Sequence, residues 1–248
     1  MSDGLKISEM SMLNDQLRLQ VTSHNLTNVS TTGYKQQIVK TESFGDVLDV
    51  TKTQRHDEIM RQQINAQIPV VETVVDSSSG AMKFTGDPLN VALNKDIYML
   101  VETVHGNVYT RHGELHIDGM GRLVNSTGKV IVGGSGEIRL TSDKPVIDQQ
   151  GRLFVDDKQV GELKLVRLVK GAEIIPIGDS LYQTTSNVEI HVDEEGMVRQ
   201  GYLEASNVNM TAEMIKMMEI TRHFESTQQL IRGYDDMMDN AINVIGDL

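Results

Sequence analysis

Apolar positions follow three different rhythms along the chain. In the first, Met10, Leu13, Leu17 and Val21 recur at spacings of three and four, which sets them on one stripe of a helix. Asn14, Asp15, Arg18 and Thr22 fall on the other side. The helix is expected to fray near Asn25 to Asn28, where short polar side chains compete for backbone partners, and Gly33 supplies a positive-φ position. From about residue 36 to 205 the rhythm shortens. "VALNKDIYMLVETVHGNVYTRHGELHI" alternates over short runs broken at His105-Gly106-Asn107 and His112-Gly113, which predicts β-hairpins. Residues 36–85 are less periodic, with a β-like run at Val70 to Val75 and Ser77-Ser78-Ser79-Gly80 as a connection.

The third rhythm is the longest. From Met210 to Leu248 there is no proline, and Met217, Phe224, Ile231, Met238 and Ile245 fall seven residues apart. Ile220, Tyr234 and Ala241 add i+3 partners, and Thr227 interrupts that second row. A sustained seven-residue apolar repeat keeps one seam turned to a partner helix. Asn209 or Thr211 can cap its start, with Glu213 in the first turn against the helix dipole. Such a helix is about 50 Å long at 1.5 Å per residue, more than a small β domain covers along one side. It needs the N-terminal helix or other copies. The expected fold is therefore α+β: terminal helices forming a coiled-coil layer around a central β-rich domain. The expected parts are residues 1–35 (helix and turn), 36–75 (intermediate segment), 76–205 (β-rich domain) and 206–248 (C-terminal helix).

Within the β zone one turn pattern recurs, as "IDGMGRLV" (117–124), "IDQQGRLF" (147–154) and "VDEEGMVR" (192–199). Asp can accept bonds from turn amides and Gly can take the left-handed conformation, so these read as hairpin tips. They lack the alternating carboxylates and distal Glu of an EF-hand.

Composition narrows the functions. Aromatic residues make up 4% of the chain against 14 methionines, which suits extended or interfacial packing. A net charge of −12 with no basic block argues against nucleic acid or anionic lipid. The absence of cysteine excludes disulfides, thiolate catalysis and Cys-ligated metal. No apolar run approaches the ~20 residues of a membrane span, and "MSDGLKISEMSMLNDQ" has neither the basic start nor the apolar core of a cleaved signal peptide.

Three segments then resemble one family. "SHNLTNVSTTGYK" is similar to the N-terminal signature S-x-N-[LI]-A-N-x-x-T-x-G-[YF]-K of flagellar rod and hook proteins. It is carried by Ser23, Asn25, Leu26, Asn28, Thr31 or Thr32, Gly33, Tyr34 and Lys35, with Thr27 where Ala is usual. "GYLEASNVNMTAEMIKMMEITRHFESTQQLI" resembles the C-terminal signature through Gly201, Leu203, Glu204, Ser206, Asn207, Val208, Asn209, Glu213, Met214, Met217, Arg222, Phe224 and Glu225. "FTGDPLNVALNKDIYMLVETVHGNVYTRHGELHIDGMGRLV" resembles the central segment, with Asn94-Lys95-Asp96-Ile97-Tyr98 replacing a Gly-x-Gly-Phe turn. The resemblance covers both ends and the middle in order. It implies a structural subunit exported unfolded through the flagellar type III apparatus, assembling helically in the periplasmic basal-body rod with its own copies and other rod proteins. It also implies terminal helices that order on docking. Chain length and the short link after the β zone resemble the proximal rod member more than the distal one.

The expected interface residues are Met10, Leu13, Leu17 and Val21 on one strip and Met217, Phe224, Ile231, Met238 and Ile245 on the other. Asn25, Asn28, Gly33 and Asn207 are expected to hold the chain's exit from each helix. No catalytic, cofactor or metal residue is expected. His105, His112 and His116 lack a supporting zinc pattern, and Asp156-Asp157, Glu194-Glu195 and Asp235-Asp236 are adjacent rather than spaced as in a glycosidase. The sequons at Asn25 and Asn28 read as products of an Asn/Ser/Thr-rich turn. The rival readings are a cell-wall hydrolase, for which no Ser/His/Asp set is visible, and a secreted glycan-binding module.

Overall fold

The structure, a computed structural model, describes residues 2–41, 71–103, 106–168, 174–184, 188–190 and 196–246. It divides into two compact units, one of Met1–Leu26, Gln37–Thr73 and Asn209–Leu248, the other of Thr27–Gln36 and Val74–Val208. The turn that follows the first helix thus clusters with the β body.

That body is built around the run Ile97 to Val101. These five residues are all buried, so the strand Ile97–Thr103 is covered on both faces; a strand in that position reads as an unbroken apolar run instead of an alternation. Its neighbours in a six-stranded sheet are Gly106–Thr110 and Leu165–Leu168. Leu181–Thr184 and Ile174–Gly178 extend the sheet on one side and Val188–Ile190 on the other, all antiparallel. Ile97, Met99 and Val101 point into the main core with Leu93, Leu123, Leu153 and Leu163. Tyr98 points the opposite way and packs edge-on against Tyr182 at 6.0 Å between ring centroids, over Val75 and Leu168. The strand Val91–Leu93 pairs with Val198–Gln200, and Met82–Phe84 pairs with Tyr202–Glu204. The chain entering and the chain leaving the body therefore run side by side.

Two of the three repeated turns are hairpin tips of one design. Asp118 Oδ1 accepts the N–H groups of Met120 (2.9 Å) and Arg122 (2.8 Å), and Asp148 Oδ1 those of Gln150 (3.0 Å) and Arg152 (2.9 Å). Gly121 and Gly151 take φ of 76° and 86°. The third tip lies partly outside the described residues. A turn of the same design at Asn125 was not expected from the Asp pattern. Its Oδ1 accepts the N–H groups of Thr127 (3.1 Å) and Lys129 (2.8 Å), and Gly128 has φ 78°.

In the other unit, α1 (Ser2–Thr27) and α2 (Met210–Gly246) run antiparallel, since Asp15 meets His223 and Asn25 meets Glu213. Asn209 caps α2: its Oδ1 accepts the Ala212 N–H at 3.1 Å and its carbonyl accepts the Glu213 N–H at 3.0 Å. Neither helix is long and apolar enough to cross a membrane.

One tip is strained. Asp156 and Asp157 form the two-residue loop between Val155 and Lys158, both at positive φ (50° and 59°). Such turns favour Asn-Gly because glycine has no Cβ to clash there. Asp157→Gly should raise unfolding stability by roughly 1 kcal/mol, read as a higher urea midpoint with unchanged slope.

Candidate functional site

The first signature ends inside the β body. Gly33 takes φ +68°, and a Cβ there would lie 2.4 Å from the Arg111 carbonyl oxygen, so both conformation and space demand glycine. Its N–H donates to the Glu204 carbonyl at 2.8 Å. Two residues on, the Lys35 N–H donates to the Tyr182 hydroxyl (3.2 Å), and Nζ donates to Glu204 Oε1 (2.8 Å) and the Ser78 carbonyl (2.6 Å). Glu204 is shared. Arg111 Nε donates to its Oε2 at 2.8 Å, Arg111 Nη2 lies 2.7 Å away, and the Gly80 N–H donates to Oε1 at 3.0 Å.

Arg111 also reads the turn that replaces the family's glycines. Its Nη1 donates to the carbonyls of Ile97 (2.7 Å) and Asn94 (3.2 Å), and Nη2 to that of Leu93 (3.2 Å). Within that turn Asp96 holds φ 61° itself. Asn207 completes the joint: its Oδ1 accepts the Gln36 N–H (2.7 Å), and Nδ2 donates to the carbonyls of Asp76 (3.0 Å) and Ser78 (3.1 Å).

Lys35, Arg111 and Glu204 have side chains 1% exposed, so one carboxylate sits between two buried cations. Burial, and then the Arg111 charge, hold the Lys35 ammonium below its usual range, with Glu204 opposing. Burial pushes the Tyr98 hydroxyl up to about 12 and that of Tyr182 higher still. Chemically the cluster is a tie. Its charged atoms are spent on one another and on backbone, and they join N-terminal, central and C-terminal segments.

The expected strips occupy the other unit. Val21 is buried, Met10 and Leu17 are half-buried, and Leu13 is 61% exposed. Met217, Phe224 and Ile231 are half-buried and Met238 is exposed; Ile245 lies in α2, but its side chain is outside the described residues. The row buried most deeply on α2 is Glu213, Ile220 and Thr227. On α1 the expected polar side turns inward, with Asp15 and Thr22 buried. Asp15 Oδ2 lies 2.5 Å from His223 Nδ1, and Thr227 satisfies its hydroxyl on the His223 carbonyl at 3.0 Å. Asn25 bridges the unit: Nδ2 donates to Glu213 Oε2 (3.1 Å) and the Gln37 carbonyl (2.8 Å), and Oδ1 accepts the Gln37 N–H (2.9 Å). Asn28 accepts the Thr31 hydroxyl at 3.1 Å within the turn. A groove of about 390 Å³ between the helices is lined by Arg18, Val21, Lys216 and Glu219 among others.

His112 is held by the Thr32 carbonyl (3.0 Å) and the Ser126 hydroxyl (2.9 Å). His105 lies outside the described residues, and among those described no three His, Asp or Glu side chains form a metal-holding group.

The family model described as "Flagellar basal body rod FlgEFG protein C-terminal" matches residues 199–244, from Arg199 in the strand Val198–Gln200 through most of α2. Similar proteins extend the match over nearly the whole chain. The flagellar basal-body rod protein FlgF of Mesorhizobium japonicum is 26% identical over 99% of both chains. FlgG of Buchnera aphidicola subsp. Schizaphis graminum is 28% identical over 96% of this chain and 98% of its own, and FlgF of Escherichia coli is 29% identical over 87% of each. Over nearly its whole length the chain is thus similar to flagellar basal-body rod proteins, and its C-terminal segment carries the rod-protein family match. The segment that follows α1 and the segment that precedes α2 meet at Glu204. Lys35 and Glu204 enter the sequence analysis only as signature positions, and Arg111 is not among the expected site residues. Its neighbours Thr110 and His112 are polar, so no alternation marks it as buried.

Glu204→Gln would leave two buried cations on a neutral amide and should cost about 3–5 kcal/mol, whereas Lys35→Met, which removes the surplus cation, should cost about 1 kcal/mol; urea unfolding of the two variants measures the gap. Tyrosines in the unfolded chain ionise near pH 10. The raised Tyr98 value therefore gives stability that is full below pH 10 and is lost between pH 10 and about 12. Lys35 acts in the opposite sense below its own unfolded value of 10.5. Alkaline titration of Tyr98→Phe should show a shallower loss.

Proposed function

We propose that the chain is a structural subunit of the bacterial flagellar basal-body rod, not an enzyme, that assembles helically in the periplasm. Its terminal helices form the shared coiled-coil layer of the rod, and Met10, Leu13, Leu17, Val21, Met217, Phe224, Ile231, Met238 and Ile245 supply the seams. The observation that carries this reading is the apolar side chains α1 and α2 leave uncovered within one chain. Leu13, Met214, Met218, Leu230, Met237 and Met238 are all exposed, and rows of that kind on paired helices are covered by further helices in an assembly. Contacts between successive copies are head-to-tail and do not close, so they extend along an axis. Export through the type III apparatus as an unfolded chain suits a protein without cysteine.

Within the rod we place the chain in the proximal segment, on its length and its short link between the β body and α2. The distal position is the alternative, favoured by FlgG relatives whose identity is as high as that of the FlgF relatives. Cross-linking from Leu17 in purified basal bodies separates the two by the neighbour it captures.

Ile231→Asp should abolish rod assembly and swarming motility while the thermal unfolding of the β body stays within about 0.5 kcal/mol of wild type. Normal swarming of that strain would remove the basis for the reading.

A further inference from the structure

The buried rows of α1 and α2 hold more polar than apolar side chains. Asp15, Thr22 and Asn25 on α1 and Glu213 and Thr227 on α2 are buried beside Val21 and Ile220, while Leu13, Met214 and Met218 are exposed. We propose that the two polar contacts, Asp15 to His223 and Asn25 to Glu213, are register keys. They select the one alignment of α1 on α2 in which this chain closes, and apolar rows are left for other subunits.

Spacing along the two helices sets the register. Asp15 and Asn25 are ten residues apart on α1, and Glu213 and His223 are ten apart on α2, in opposite directions. Both contacts can therefore be made together only in one antiparallel register. Sliding α1 by one turn moves it by about 5.4 Å. That slip separates both pairs at once: it strands the buried Asp15 carboxylate and takes the Asn25 amide from Glu213, which keeps only Lys216. An apolar seam has no such penalty, because Leu, Val and Met exchange places with little loss. Buried polar side chains at helix interfaces commonly fix alignment at the expense of strength.

Asn25 adds a second constraint. The same amide pairs with both backbone groups of Gln37, so α1, α2 and the strand Gln37–Thr41 are fixed by one side chain. Lys216 holds the other Glu213 oxygen at 2.7 Å and aims the carboxylate. α2 itself carries closely similar apolar residues at Met214, Ile215, Met217, Met218 and Ile220, so mis-registered pairing is the competing state these contacts exclude.

The chain has no native cysteine, so nitroxide labels at Gln16→Cys and Gln228→Cys, both exposed, report the alignment of the full chain by pulsed dipolar spectroscopy. The unmodified seam should give one narrow distance distribution. In the Asp15→Leu/Asn25→Leu variant, which removes both contacts, it should split or shift by roughly 5 Å. Glu213→Gln, which still accepts from the Asn25 amide, should keep the single peak. A doubly apolar variant with the peak unmoved overturns the proposal. So does a broad distribution before substitution, or loss of any peak in the variant, which would make the contacts adhesive instead of register-setting.

Discussion

One carboxylate facing two buried cations is the constraint on which the β body depends. Glu204 cannot be removed without stranding Lys35 and Arg111, and each of those carries a different stretch of chain. Lys35 brings the segment that follows α1, Arg111 brings the Asn94–Ile97 turn and the central sheet, and Glu204 precedes α2. Ion pairs of this burial are poor sources of net stability, because desolvation offsets most of their attraction. Their value is specificity: three segments far apart in sequence have one arrangement in which all three charges are met. Gly33 and Gly80 allow this by letting backbone approach to distances a side chain would forbid.

The helical unit has the opposite character. Its internal seam mixes buried polar side chains with Val21 and Ile220, and much of its apolar surface is uncovered. On the function proposed above, that division leaves the uncovered rows for neighbouring subunits, while the polar contacts hold the alignment within one copy.

Much of this was legible in the sequence. The 3–4 spacing on α1, the seven-residue rows on α2 and the Asp-x-x-Gly tips all carry local physics, and each corresponds to an element in the structure. The orientation of the rows was not legible. Apolar periodicity says that a helix has a stripe, but it does not see that Asn25 and Glu213, 188 positions apart, or Asp15 and His223, 208 apart, find each other. Polar residues at those positions look like a solvated face until their partners are known. The Asn125 turn was missed for a smaller reason, since Asn can accept turn amides as Asp does. Arg111 was missed because a buried arginine, read one strand at a time, is indistinguishable from an exposed one in an alternating run.

Amide hydrogen exchange on the dilute, unassembled chain tests the central claim most directly, because it compares the two units in one sample. The account predicts that Gly33 and Lys35, whose N–H groups are bound to Glu204 and Tyr182, are protected to the level of Met99 and Val101 in the central strand, while the α2 amides beyond Leu230 exchange within seconds. Rapid exchange at Gly33 and Lys35, or core-level protection along the far end of α2, would contradict it.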